Sequence, residues 1–120
     1  MHELKVARRF KVGGIELSHA GDIELDADEL VTFTAASGSE LDVTRKSWGY
    51  YATPSLNGRL REHGLRAALA AGGEPARMYL LLVEDGEEQA FNDYLASEGM
   101  RVVAWLDSDA AVAEAERRLR

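Results

Sequence analysis

The chain has 120 residues, a formal net charge of −7, 46% hydrophobic and 29% charged residues, and no cysteine. That length favours one domain able to bury a core without disulfides or metal, and the composition is that of a globular rather than a disordered protein. Disulfide scaffolds, thiolate zinc sites, iron–sulfur clusters and cysteine nucleophiles are excluded, and the acidic balance speaks against general nucleic-acid binding, which needs a basic surface to displace counterions.

The first half reads as β. From Glu3 to Val12, Leu4, Val6, Phe10 and Val12 share one face and Glu3, Lys5, Arg9 and Lys11 the other, with Arg8 breaking the apolar face. Gly13-Gly14 is a hairpin signal, after which Ile15 and Leu17 resume the alternation. Ile23 and Leu25 alternate with Asp22, Glu24 and Asp26, and the acidic stretch Asp26 to Glu29 reads as a polar connection. Val31, Phe33 and Ala35 alternate with Thr32 and Thr34, which predicts a further strand. Ser37 to Ser39 is a tight turn. Leu41 and Val43 open a strand that is expected to run through Trp48 to Tyr51. Val43 is odd and Trp48 and Tyr50 are even, so one shared face requires a bulge between Ser47 and Gly49.

The second half changes period. Thr53-Pro54 predicts a helix from Pro54 to His63, with Thr53 as cap, Leu56 and Leu60 on one face, and Gly64 after its end. In Leu65 to Ala71 the alanines favour helix, but the flanking Gly64 and Gly72-Gly73 and the short length favour a strand, which is the expectation. Met78 to Val83, apolar at consecutive positions, reads as a central strand covered on both faces. Glu84 to Glu88 supplies acids for a helix start. Phe91, Tyr94 and Leu95 form that helix's apolar stripe, and Gly99 ends it. Arg101 to Leu106 is another strand. Asp107, Ser108 and Asp109 offer caps for a last helix bearing Val112, Ala115 and Leu119. The expected fold is a single α+β domain over residues 1–120. It has a mainly antiparallel β meander in the N-terminal half, followed by helix-strand-strand-helix-strand-helix, with the helices packed on one side of the sheet.

Charge is segregated along the chain. Val12 to Asp42 holds eight acidic and no basic residues, whereas Arg45 to Arg66 holds five basic residues and one acid, Glu62. That basic block also carries Trp48, Tyr50 and Tyr51 and the predicted helix start. A helix start offers unpaired N–H groups and a positive dipole end, and aromatic rings offer a flat surface. The candidate ligand-binding residues are therefore Arg45, Lys46, Trp48, Tyr51, Thr53, Ser55, Asn57 and Arg59, expected to recognise an anionic small molecule or an acidic protein segment. The competing bland reading places Trp48 and one tyrosine in the core and the arginines on a solvated helix face.

Other chemistries lack a pattern. His2, His19 and His63 have no partner at helical ligand spacing, and Asp22 to Glu29 lacks the glycine and terminal glutamate of a calcium loop. No serine sits in a nucleophile elbow, and neither catalytic residues nor a metal or cofactor are expected. The leading expectation is a non-catalytic binding or accessory module. Second is a self-associating protein–protein interaction domain, a homodimer built by opposed charge or by edge strands. Third is a small enzyme using Lys46, Tyr50, Tyr51 or His63 as acid or base. The opening residues carry no apolar signal core and no stretch is long enough to span a membrane, so a cytoplasmic location is expected. The preference for arginine and alanine over lysine and isoleucine points to a GC-rich bacterial genome.

Overall fold

The computed structural model describes the backbone of residues 8–12 and all of residues 15–120. The first part of the expected opening strand, Glu3 to Ala7, its two side-chain faces and the Gly13-Gly14 turn lie outside the described residues. The fold is α+β, with strands dominating the first half and helices interleaved with strands in the second. It forms two compact units: one contains the residues up to Val31 together with Thr44–Tyr51, the other Thr32–Val43 together with Ala52–Arg120. Among the described residues, no helix is long and apolar enough to cross a membrane.

In the first unit, β1 (Arg8–Val12) and β2 (Ile15–His19) pair antiparallel, with Val12 across from Ile15. The Ile23–Leu25 alternation is not a strand. The chain there has no regular structure, and Asp28 adopts φ +66, a left-handed conformation that interrupts extension. Asp28 N donates to Arg45 O at 2.6 Å and Arg45 N donates to Glu29 O at 2.9 Å, so this acidic turn is tied along the following sheet.

That sheet has the order β3 (Leu30–Thr34), β4 (Glu40–Lys46), β5 (Gly49–Tyr51), and β3 and β4 each run from one unit into the other. Lys46 lies across from Gly49, so Ser47 and Trp48 form a two-residue hairpin turn. The chain reverses where a continuous bulged strand was expected, and the parity conflict disappears because Val43 and Tyr50 belong to different strands. The Arg45 side chain closes the turn: its Nη1 donates to Lys46 O and, at 2.9 Å, to Gly49 O.

In the second unit, α1 (Arg59–Glu62) is four residues long rather than the ten predicted from Pro54. Asn57-Gly58 interrupts the helix, with Gly58 at φ −124 and ψ −99. The N-cap position falls at Gly58, not Thr53, and the first helical N–H, that of Arg59, is accepted by Ser55 Oγ at 2.9 Å. A Cβ on residue 58 would lie 2.7 Å from Ser55 Oγ, so only glycine fits beside that bond. The leucine pair survives the shortening: Leu60 is fully buried and Leu56 packs against its cluster.

The main sheet has the order β7 (Arg77–Glu84), β6 (Leu65–Gly72), β8 (Met100–Trp105), and β6 is antiparallel to both neighbours. The central strand is thus alanine-rich β6, not the more apolar Met78–Val83 run. Connectivity decides this. A turn at residues 73–76 fixes β7 on one side of β6, and α2 (Glu88–Glu98) carries the chain over to the other side, a split βαβ arrangement. Alternate residues of β6 face different neighbours. Leu65 and Ala67 join Leu60, with Leu41, Leu56 and Leu82 packed around them. Arg66 meets Trp105 and Glu88, and Trp105 meets Phe91 of α2 edge-on at 5.6 Å. Ala67, Ala68, Ala70 and Ala71 are all fully buried, and their small side chains let both coverings approach closely.

Gly99, at φ +67, ends α2 as expected. Leu95 is the buried member of the α2 stripe, while Tyr94 is exposed. Ser108 is the cap of α3 (Asp109–Arg118), accepting from Ala111 N at 3.1 Å. Val112 and Ala115 are half-buried, but Leu119 falls beyond the helix and is exposed.

Candidate functional site

The β4–β5 hairpin gathers four of the eight candidate residues: Arg45, Lys46, Trp48 and Tyr51. Trp48 occupies the turn and is 71% exposed, with Tyr50 at 62% and Tyr51 at 51% beside it. The alternative of Trp48 as a core residue is thereby overturned; the buried-side tryptophan is Trp105. Arg45 lies over the Tyr50 ring at 5.3 Å, which holds a cation and an aromatic face together. Lys46 Nζ pairs with Asp28 Oδ1 at 2.6 Å, and the Asp28 side chain is largely exposed. An exposed pair of this kind contributes on the order of 0–1 kcal/mol and exchanges readily with solvent or another carboxylate.

The other four candidates belong to the second unit: Thr53, Ser55 and Asn57 lie on the loop into α1, and Arg59 is its first residue. Thr53 sits in the bend before the buried Pro54. Ser55 Oγ accepts from Arg59 N, Asn57 Nδ2 donates to Asp109 Oδ1 at 2.8 Å at the start of α3, and Arg59 pairs with Asp42 at 3.4 Å. The Thr32 hydroxyl, which donates to Asp42 Oδ1 at 2.6 Å, and then Arg59 hold the Asp42 carboxyl below its usual range. Ser55, Asn57 and Arg59 are engaged in structural bonds, and the first helical N–H already has an acceptor.

The remaining cations of the basic block are likewise partnered. Arg61 Nη1 reaches Asp85 at 2.5 Å. Arg66 is held on three sides, by Asp107 at 2.6 Å, by Glu88 at 2.9 Å and by the Trp105 ring at 4.1 Å. Asp107, followed by Glu88, raises the Arg66 pKa further, and Arg66 in turn lowers that of Glu88. Asp107 therefore ion-pairs rather than caps α3. Sequence reasoning missed this cluster because Arg66 and Asp107 are 41 positions apart, with no local signal linking them.

The second unit also contains a concave surface that the sequence did not indicate. An open cleft of about 530 Å³ is lined by Ser37, Gly38, Ser39, Glu40, Glu62, His63, Gly64, Glu84 and Asp85. Glu84 accepts from the Ser37 hydroxyl and, at 2.9 Å, from Ser39, and these two bonds depress its pKa. His63 Nδ1 lies 3.7 Å from Glu40 Oε1. The lining is acidic, the opposite of an anion seat. Of the acid–base candidates, His63 lines this cleft, while Lys46, Tyr50 and Tyr51 stand on the hairpin. Among the described residues, no group of three or more His, Asp or Glu side chains is placed to hold a metal ion.

No known protein family, curated protein or solved structure matches the chain.

Proposed function

We propose that the protein is a non-catalytic binding module that recognises an acidic segment of a partner protein through the β4–β5 hairpin, Arg45–Tyr51. The observation that carries this reading is the exposure of Trp48, Tyr50 and Tyr51 on one short hairpin that also bears Arg45 and Lys46. Exposed tryptophan and tyrosine bury large area at low conformational cost when a partner docks, and arginine beside them supplies charge-assisted bonds. Lys46 exchanges Asp28 for a partner carboxylate at little cost, because the internal pair is exposed.

A protein segment is favoured over a small anion for two reasons. The hairpin exposes Trp48 in its two-residue turn and Tyr50 and Tyr51 in the strand that follows, and the concave surface of the second unit is lined by carboxylates. Of the eight candidate residues, Arg45, Lys46, Trp48 and Tyr51 make the contact, while Ser55, Asn57 and Arg59 hold the loop into α1 and its start, and Thr53 sits in the bend before it. The module acts in a bacterial cytoplasm on this reading, the cysteine-free composition being what supports it.

Selection of displayed random peptides against the intact chain tests the proposal. Enrichment of Asp and Glu around an aromatic anchor is the expected result. A synthetic version of a selected peptide is expected to bind at least about tenfold more weakly to Trp48→Ala and to Tyr51→Ala. Peptides without acidic enrichment, or peptides indifferent to both substitutions, contradict it.

A further inference from the structure

Among the described residues, strand β7 is an edge of the main sheet, and its first half is unusually apolar for an edge. Met78 is 55% exposed, Tyr79 44% and Leu80 41%. An edge strand points alternate N–H and C=O groups away from its sheet, and soluble proteins commonly blunt such edges with lysine, proline or a bulge. Residues 78–83, Met-Tyr-Leu-Leu-Leu-Val, contain none of these, and β7 pairs with β6 without a register shift from Arg77 to Glu84. The strand is therefore long and regular, with an unblunted backbone edge facing away from β6 and apolar side chains exposed on both faces of the sheet, Met78 and Leu80 on one and Tyr79 on the other.

Its charges are arranged by end. Arg77 stands at the start, and Glu84 and Asp85 at the finish. Among the described residues, Arg77 has no ion-pair partner. Two copies of one strand pair antiparallel in a continuous sheet only about a dyad normal to that sheet. Opposed residues must then have the same parity, because the dyad keeps each side chain on its own face. With the dyad at Leu81, Leu80 lies across from the partner's Leu82, Tyr79 across from the partner's Val83, and Arg77 across from the partner's Asp85, the first residue after β7, whose exposed carboxylate would then be shared between its own Arg61 and the incoming Arg77. The basic end of each strand thus meets the acidic end of the other, twice. A parallel pairing would instead set basic against basic and acidic against acidic.

We infer that β7 is a self-association edge, along which a second copy of the chain adds antiparallel to give a six-stranded sheet across a twofold axis. The occupant is a second copy because reversing the segment Arg77–Asp85 sets its arginine, unpaired among the described residues, against the carboxylate that follows β7. This inference uses the second unit and stands independently of the hairpin reading, which uses the first.

Sedimentation velocity of the intact chain over a range of concentrations tests it. A monomer–dimer equilibrium is expected. Arg77→Glu and Tyr79→Lys are each expected to weaken it at least about tenfold, and Arg77→Glu combined with Asp85→Arg to restore it. A wild-type chain that stays monomeric to millimolar concentration overturns the inference, as does a dimer indifferent to both single substitutions. Because a strand substitution can prevent folding, amide exchange of the unaltered chain gives a second reading. Protection of residues 77–83 is expected to rise with protein concentration, and concentration-independent protection there overturns the inference.

Discussion

Asp28 and Arg66 show how differently one charge pair can be worth. Asp28 holds Lys46 across an exposed 2.6 Å contact while its backbone sits at φ +66. Asparagine tolerates that conformation about as well as aspartate, so Asp28→Asn removes the charge without straining the turn. Lys46 then has no internal competitor, and an acidic peptide is expected to bind about two- to threefold more tightly, with the effect lost at high salt. Isothermal titration at low and high salt measures this. Arg66 is the opposite case. Its guanidinium is packed on Trp105 and paired with Asp107, whose side chain is only 15% exposed. Arg66→Ala leaves that carboxylate without its partner and uncovers the ring. The expected loss is on the order of 2 kcal/mol, read as a lower urea midpoint with unchanged slope. A change within a few tenths would mean that solvent replaces the arginine.

At the scale of elements, β6 carries the packing. Its four alanines are fully buried because α2 and the Leu60 cluster approach it from either side of the strand. Ala68 lies across from both Leu81 and Trp105, so a larger side chain has nowhere to go. Ala68→Leu is expected to destabilise by about 1–3 kcal/mol despite being more hydrophobic, a sign that thermal denaturation would reveal directly. This is also where sequence reasoning was least able to choose. Both β6 and β7 were legible as strands, but hydrophobicity alone favoured Met78–Val83 as central. Strand order depends on where α2 returns the chain, and no local pattern encodes that. Elements with a local cause were read well: α2 with its Gly99 end, β8, and α3 with its cap region. The hairpin at Ser47-Trp48 was read as a bulge, because two-residue turns without Asn-Gly or Gly-Gly give a weak signal. The helix starts at Arg59 rather than Pro54 because the non-helical Gly58 interrupts the chain between them.

Across the whole molecule, charge is the organising quantity. The net charge is −7, yet the basic block between Arg45 and Arg66 is distributed between the two units rather than gathered on one helix. The candidate site was therefore legible as a stretch of sequence but not as a surface: composition located the aromatic residues, and only the hairpin shows that they are exposed. The acidic side is equally organised. Ser37 and Ser39 depress the pKa of Glu84, Arg66 that of Glu88, and Arg118 with Arg117 that of Glu114. A carboxyl whose pKa is lower folded than unfolded contributes stability above its unfolded value. That contribution is lost as pH falls through the folded value. Stability is thus expected to hold from neutral pH down to the ordinary carboxylate range and to decline below it. In the Ser37→Ala, Ser39→Ala double variant, the Glu84 carboxyl is expected to titrate higher by NMR. A stability that rises steadily on acidification would contradict this.

The central claim is that Arg45–Tyr51 is the recognition element. Its most direct test is an NMR titration of the labelled chain with an acidic peptide bearing one aromatic residue. Shifts concentrated at Arg45, Lys46, Tyr50, Tyr51 and the Trp48 indole are the expected result. Shifts confined to the cleft of Ser37–Glu40, Glu62–Gly64 and Glu84–Asp85, with the hairpin unmoved, would contradict it.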